Sequence, residues 1–428
     1  MLKVFKFGGA SVKDADSVRN VATILKNHAP ENLVVIISAM GKTTNALEKV
    51  LHAWYENDER LSAFIEDTIA YHQEILNQLF PDKSHPAHFK TNLLFGELEG
   101  HLFTPPSLNY DFDYDQVVSF GELISTTIIS EFLDSEGFNC KWFDVREMIR
   151  TNNSWREGKV DWEATETQIR NQAGAFFENP GTKPSIVLTQ GFLGSTAEGF
   201  TTTLGREGSD YTAAIFAYVL NAQEMVIWKD VPGLLNADPK YFSVTEKLAS
   251  ISYREAIELS YYGATIIHPK TIKPLQNKDI PLRIKSFVHP EEEGSIIHQD
   301  TASDSLIPSF IFKVDQVLIS IIPKDFSFID ELSLSKILAV FAHNSIHISL
   351  MQNSAISFSV CVDNNERKLS QLFDELGMNY KIRYNTGLEL ITIRHYDQAT
   401  IDRVMEDGKS ILLEMKSRLT AQFVVRPK

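Results

Sequence analysis

Gly191-Phe-Leu-Gly-Ser-Thr-Ala-Glu-Gly-Phe-Thr-Thr-Thr-Leu-Gly-Arg-Glu-Gly-Ser-Asp210 lies between the run Ser185-Ile-Val-Leu-Thr189 and a helix-like segment from Tyr211 to Leu220. It carries five glycines, six hydroxyl side chains, one arginine and one aspartate. Strand, glycine-rich loop and helix start together make an anion site. Glycine lets the backbone approach a ligand, the helix N-terminus aims N–H groups at negative charge, and Arg206 offers a planar fork to a carboxylate or phosphate. The expected ligand is small and anionic.

Outward from this loop, short β-branched runs alternate with segments of helical period as far as residue 290 or so. Val4 to Phe7, Leu33 to Ser38, Ile186 to Gln190, Met225 to Trp228 and Leu282 to Ile284 read as strands. Helical spacing covers Ser17 to Lys26, Thr44 to Glu56, Ala63 to Phe80, Glu122 to Ser135 and Asp210 to Leu220, and Asn57 to Asp115 is mainly helical with a turn near Pro81. That alternation predicts an α/β sheet. The acidic, small-residue stretch from Phe287 to Ser305 reads as a domain boundary. Beyond it, Val317 to Ile322, Ser333 to His343, His347 to Met351, Ile356 to Val362, Glu366 to Leu376 and Tyr380 to Tyr384 follow the order β-α-β-β-α-β. A second such unit starts at Leu388 to Arg394, with a helix expected from Thr400 to Leu419 and a strand at Ala421 to Val425, and reads as incomplete.

With 428 residues, two or three domains are expected. The formal charge of −15 disfavours general affinity for nucleic acid or an anionic membrane, while leaving room for a local cationic pocket. Cys140 and Cys361 are far apart and outside metal or redox spacing, which suggests a reducing compartment and no metal site built from protein side chains. The opening Lys3-Val-Phe-Lys-Phe-Gly-Gly9 is a strand and turn rather than a leader, and no apolar run approaches membrane-spanning length, so a cytoplasmic location is expected.

Three further constellations carry chemistry. In Lys6-Phe-Gly-Gly-Ala-Ser11 a strand-end lysine precedes a double glycine, so its ammonium and the amides of Gly8 and Gly9 suit phosphate oxygens. There is no Walker A loop, so kinase chemistry would need another fold. In Ser119-Phe-Gly-Glu-Leu-Ile-Ser125, Glu122 opens a helix. An amino acid presents both an α-carboxylate and an α-ammonium, and Arg206 with Glu122 forms the complementary pair. Finally, Ile227-Trp-Lys-Asp-Val-Pro-Gly-Leu-Leu-Asn-Ala-Asp-Pro-Lys240 leaves a strand at the edge where open α/β sheets bind ligands, and its lysines and aspartates suit a nucleotide. His268, before a proline, reads as structural.

Taken in order, Lys6-Phe-Gly-Gly-Ala-Ser-Val12, Ser38-Ala39 with Thr44-Asn45, Ser119-Phe-Gly-Glu-Leu123, Phe143-Asp-Val-Arg146, Thr189-Gln-Gly-Phe192, Thr201-Thr-Thr-Leu-Gly-Arg-Glu-Gly-Ser-Asp210 and Asp230-Val-Pro-Gly233 resemble the aspartate kinases of the amino acid kinase family. The resemblance implies a three-layer α/β/α kinase fold over residues 1–295, an ACT-like α+β (ferredoxin-like) regulatory domain over 305–386 and a partial second ACT-like unit over 387–428. It implies ATP, with Mg²⁺, and L-aspartate as substrates. Carried over by position, Lys6, Gly8, Gly9 and Asp210 belong to phosphoryl transfer and Thr44, Glu122, Arg206 and Ser209 to the aspartate pocket. Lys229, Asp230, Leu235 and Lys240 fall on the nucleotide loop. An amino-acid effector and a homodimer or higher oligomer are also implied, and the length predicts a monofunctional enzyme.

The chain departs from the family at several points. Ala10 replaces a frequent threonine and Glu207 a common glycine, while Lys229, Leu235 and Lys240 replace threonine, tyrosine and arginine. Thr265 stands where a phosphate-contacting lysine is frequent, and Lys229 is the expected substitute. In the regulatory region, Ser349 stands where a lysine-sensing member carries aspartate, which argues against lysine inhibition. Another amino acid kinase, or a silent sensor that kept the fold, are the competing readings.

Overall fold

The computed structural model describes residues 2–28, 32–178, 185–242, 244–264, 267–325, 327–405 and 408–427. The chain divides into two compact units, one of Met1–Leu234, Ala249–Tyr253 and Ile267–Thr301, the other of Leu235–Leu248, Arg254–Ile266 and Ala302–Lys428. The last of these divisions falls inside the acidic stretch named from sequence. Two earlier segments, on either side of Ala249–Tyr253, also join the second unit.

The first unit is built on an eight-stranded sheet. Its order is Ser250–Ser252, Ser295–His298, Leu282–Ser286, Glu224–Lys229, Leu2–Phe7, Asn32–Ile37, Ile186–Gln190 and Cys140–Phe143, and only the Leu282–Ser286/Ser295–His298 pair is antiparallel. Side chains alternate between faces along a strand. Phe5, Phe7, Leu33, Val35 and Ile37 accordingly form one core with Val18, Val21 and Ile24 of the Ala15–Asn27 helix and Ile124 and Ile128 of the Phe120–Ser135 helix. The Gly208–Val219 helix packs against the Leu2–Phe7, Asn32–Ile37 and Glu224–Lys229 strands, with Ala213, Ala214 and Ala217 fully buried. The helical stretch resolves into Leu61–Leu79, Pro86–Leu102 and Tyr110–Val118, where Pro86 sits in the first turn of its helix, its missing N–H costing nothing.

Two stretches hold strands that their sequence does not announce. The glycine-rich stretch is a buried antiparallel hairpin, Leu193–Ser195 with Thr201–Thr203, before it becomes a loop. The Phe287 to Ser305 stretch contains a strand, Ser295–His298, that belongs to the first sheet. These three strands are three or four residues long, too short for a period to declare itself.

The second unit carries a six-stranded antiparallel sheet in the order Ile348–Asn353, Phe358–Asp363, Ser309–Pro323, Tyr380–Arg394, Thr420–Arg426 and Ser410–Lys416. The helices Glu331–His343 and Glu366–Gly377 supply Ile337, Phe341, Leu369 and Leu372 to a core with Val317, Ile319, Val360 and Val362. Ser309–Pro323 and Tyr380–Arg394 are both long, with register shifts between Lys313 and Leu318. Ser309–Lys313 therefore faces Leu390–Arg394 and supplies a strand to the region that reads as incomplete in sequence. The expected helix from Thr400 to Leu419 is corrected to Gln398–Met405 followed by the strand Ser410–Lys416. Pairing with Thr420–Arg426 overrides the helix propensity of Leu412-Leu-Glu-Met-Lys416. No helix among the described residues is long and apolar enough to cross a membrane.

Candidate active site

The first unit has a cleft of about 620 Å³ at the carboxyl edge of its sheet, bordered by Lys6, Thr44, Glu122, Arg206, Ser209 and Asp210. Six of the residues singled out from sequence thus meet at one place.

Lys6 comes from the opening strand, whose parallel pairing on both sides fixes it between Ile36 and Ile227. Its Nζ lies 2.6 Å from Oδ1 of Asp210, in the first turn of the Gly208–Val219 helix. The contact is between charges rather than along an aligned hydrogen bond, since that oxygen takes none among the described residues. Gly8 lies beside the same ammonium, and a Cβ built there would fall 3.6 Å from Nζ. Gly9 serves the turn differently: its Cβ would lie 2.7 Å from the carbonyl oxygens of both Ala39 and Gly41, closer than a side chain can go. It lets the two sheet-edge loops touch, and its carbonyl accepts from the N–H of Gly41.

Glu122 reaches the cleft from the first turn of the Phe120–Ser135 helix and is 3% exposed. Burial pushes its carboxyl up to about 8, against the opposing pull of the Ala39 N–H and the Lys6 charge. Ala39 donates to Oε1 at 3.4 Å, and Oε2 is buried with no hydrogen-bond partner among the described residues. A carboxylate left in that state calls for a cation. Thr44 lies in the first turn of the Thr43–Glu56 helix, and Arg206 has no ion-pair partner among the described residues.

Sequence reasoning missed the outer wall of the cleft, formed by Asp111, Tyr114, Arg156 and Glu157. The Arg156 guanidinium lies over the Tyr114 ring at 4.2 Å and donates to Asp111 at 3.3 Å, while its backbone N–H donates to Asp115 at 2.9 Å. Burial pushes Asp115 up to about 6, even though Thr203 and the Arg156 N–H bond it. The segment holds no glycine-rich or periodic signal, and only the left-handed backbone of Arg156, φ 65, marks it, which sequence does not display.

The remaining predicted residues lie elsewhere. Lys229 ends the strand beside the opening one, and Asp230 follows it into solvent. Leu235 and Lys240 belong to the second unit, where the Lys240 N–H donates to Asp238. Thr265 lies outside the described residues, so the exchange proposed between it and Lys229 has no geometry here. Asp144 and Arg146 are bonded to each other in a fork, and Arg146 also donates to Thr201 at 3.3 Å, so this pair braces the hairpin rather than lining the cleft. His268 caps the Pro269–Asn277 helix through its side chain.

A sequence model of the amino acid kinase family matches residues 1–286. The chain is 31% identical over 403 residues to lysine-sensitive aspartokinase 3 of Escherichia coli (strain K12), spanning 91% of this chain and 86% of that one. It is 32% identical over 309 residues to the chloroplastic bifunctional aspartokinase/homoserine dehydrogenase 2 of Arabidopsis thaliana, of which it spans only 33%. E. coli aspartokinase III in complex with aspartate and ADP superposes with a TM-score of 0.83 and 26% identity, over 100% of this chain and 96% of that one. The same enzyme in complex with lysine and aspartate gives 0.80 over 99% and 96%.

Proposed function

The chain belongs to the amino acid kinase family and, within it, to the aspartokinases, and from that premise we propose that it moves the γ-phosphoryl group of ATP to the side-chain carboxylate of L-aspartate. The product is 4-phospho-L-aspartate, the first intermediate on the way to lysine, threonine and methionine. The observation that carries this reading is the single cleft in which the Lys6–Asp210 pair, the unpartnered Oε2 of Glu122 and Arg206 face one another.

Aspartate's α-ammonium fits Glu122, and its α-carboxylate fits the Arg206 fork with the hydroxyls of Thr44 and Ser209. Its side chain ionises near pH 4 and is already a nucleophile at neutral pH, so no general base is needed. The work left to the protein is to hold the two substrates in line and to offset charge on the transferring group. Lys6 and the amides of Gly8 and Gly9 do the second, and Asp210 holds the Lys6 ammonium in place. Lys229, Asp230, Leu235 and Lys240 are assigned to the nucleotide.

Among the described residues no three His, Cys, Asp or Glu side chains cluster as a metal site. Mg²⁺ would come with the nucleotide, bound mainly by phosphate oxygens and water with one or two carboxylates, and Asp210, whose Oδ1 takes no hydrogen bond among the described residues, is a cleft carboxylate that fits that role. The ion would supply charge neutralisation on the phosphates. The reading extends to residues 1–295 as the catalytic part, 305–386 and 387–428 as an ACT-like regulatory region open to an amino-acid effector, a homodimer or higher homo-oligomer as the assembly and the cytoplasm as its location.

Acyl phosphates are trapped by hydroxylamine, so the test is ATP-dependent hydroxamate formation. The expected result is signal with L-aspartate and none with succinate, which lacks the ammonium that Glu122 takes. Equal signal with both, or none with aspartate, overturns the reading.

A further inference from the structure

Arg206 sits in a turn whose backbone is unusual on both sides. Gly205 has φ 73 and Glu207 has φ 54, and the turn closes through the Gly208 N–H on the Gly205 carbonyl at 2.9 Å. Glycine adopts that conformation freely, whereas glutamate does not. Such a residue persists where its surroundings hold it.

The hold comes from one short segment after His268. Oε2 of Glu207 accepts the His268 backbone N–H at 2.7 Å. Lys270 Nζ donates to the Leu204 carbonyl at 2.7 Å, immediately before the turn. A Cβ on Gly205 would lie 3.4 Å from that same Nζ, so the ammonium packs against the turn itself. His268 completes the grip by accepting the Lys270 N–H at its ring nitrogen. Lysine in the first turn of a helix opposes the helix dipole, so the stability of Pro269–Asn277 does not account for Lys270. Glu157 and Glu207 offset its charge, and Tyr211 lies under it at 5.8 Å.

We propose that Lys270 and Glu207 are positioning residues for aspartate recognition, fixing the Leu204–Gly208 turn that aims Arg206 into the cleft. This rests on the function proposed above. Lys270 stands behind the turn and the Glu207 carboxylate is turned to the His268 N–H, so each acts on the affinity for the α-carboxylate rather than on phosphoryl transfer.

The test compares Lys270→Met, which keeps the apolar stem, with Lys270→Arg, which keeps a donor, and Glu207→Ala with Glu207→Gln, which keeps an acceptor. Melting temperatures identify the variants that are folded. Lys270→Met and Glu207→Ala are expected to raise the aspartate KM about tenfold, with kcat and the ATP KM within about threefold. Lys270→Arg and Glu207→Gln should restore the aspartate KM. An unchanged aspartate KM in the folded Met and Ala variants, or a fall in kcat that neither conservative variant rescues, overturns the proposal. Aspartate binding followed by calorimetry without nucleotide gives the same comparison independently of turnover. A wild-type chain that binds aspartate yet forms no acyl phosphate thus defeats the assigned reaction and leaves the positioning role to be decided by those binding constants.

Discussion

The ammonium of Lys6 lies 2.6 Å from Oδ1 of Asp210, with side-chain exposures of 11% and 4%, although the two residues belong to the first strand and to a helix far along the chain. Breaking a buried pair by removing one partner leaves an uncompensated charge and costs about 3–5 kcal/mol. Lys6→Met should therefore lose both turnover and melting temperature. Lys6→Met combined with Asp210→Asn should recover the melting temperature but not the turnover. Hydroxamate formation alongside thermal denaturation separates the two, and recovery of activity in the double variant would remove Lys6 from the chemistry.

Glu122 makes the site sensitive to pH in a defined direction. Its carboxyl is raised from 4.5 to about 8 in the substrate-free cleft, so at pH 7 it is mostly protonated. Binding aspartate's ammonium favours the charged form and expels that proton. Aspartate affinity should fall as pH drops below about 8, at most about tenfold per unit. Calorimetry at pH 7 in buffers of different ionisation enthalpy should show close to one proton released. Glu122→Gln should flatten the pH dependence and weaken aspartate binding. Without ligand, a raised folded-state pKa means that stability present below 4.5 is lost as pH rises toward 8. The variant should thus melt higher than wild type at pH 9.

The inner half of the cleft was legible because each of its residues stands beside a local signal: a double glycine at a strand end for Lys6, a helix start for Glu122, a glycine-rich loop for Arg206 and Asp210. The outer half was not. Arg156 reaches the cleft through a left-handed residue in an irregular loop, held by the Asp115 carboxylate and the Tyr114 ring from another element. No spacing encodes such contacts. In the second unit the first helices and strands were readable from their periods, whereas Ser410–Lys416 is a strand because Thr420–Arg426 pairs with it, a tertiary fact.

In the second unit, Arg394 holds Glu255 by two hydrogen bonds of 3.1 and 2.5 Å, with His395 at 3.2 Å from the same carboxylate. Burial raises the Glu255 carboxyl, but the Arg394 bonds and the nearby His395 ring outweigh it and hold it below its usual value. Its contribution is present above the unfolded pKa of 4.5 and is lost as pH falls through the lower, folded one. Arg394→Met should destabilise this unit by about 3–5 kcal/mol. Glu255→Gln should cost less, since the amide oxygen still accepts from Arg394. Equal losses on chemical denaturation would show that the charge is immaterial.

Ser349 bears on whether lysine regulates the chain. It borders a cavity of about 480 Å³ with His347, Met351 and Tyr261, and its hydroxyl accepts from Lys313 Nζ at 3.0 Å. A lysine effector would bring a second ammonium to a cavity lined by no carboxylate among the described residues and with one cation already present. L-Lysine should therefore leave activity within about twofold of its uninhibited value, as a shift worth less than about half a kcal/mol. Ser349→Asp alone should not create inhibition, because Lys313 would neutralise the new carboxylate. Ser349→Asp together with Lys313→Met frees that charge, and inhibition appearing only in the double variant is the expected pattern. Lysine inhibition of the unaltered chain would show that the effector's ammonium is received somewhere other than Ser349.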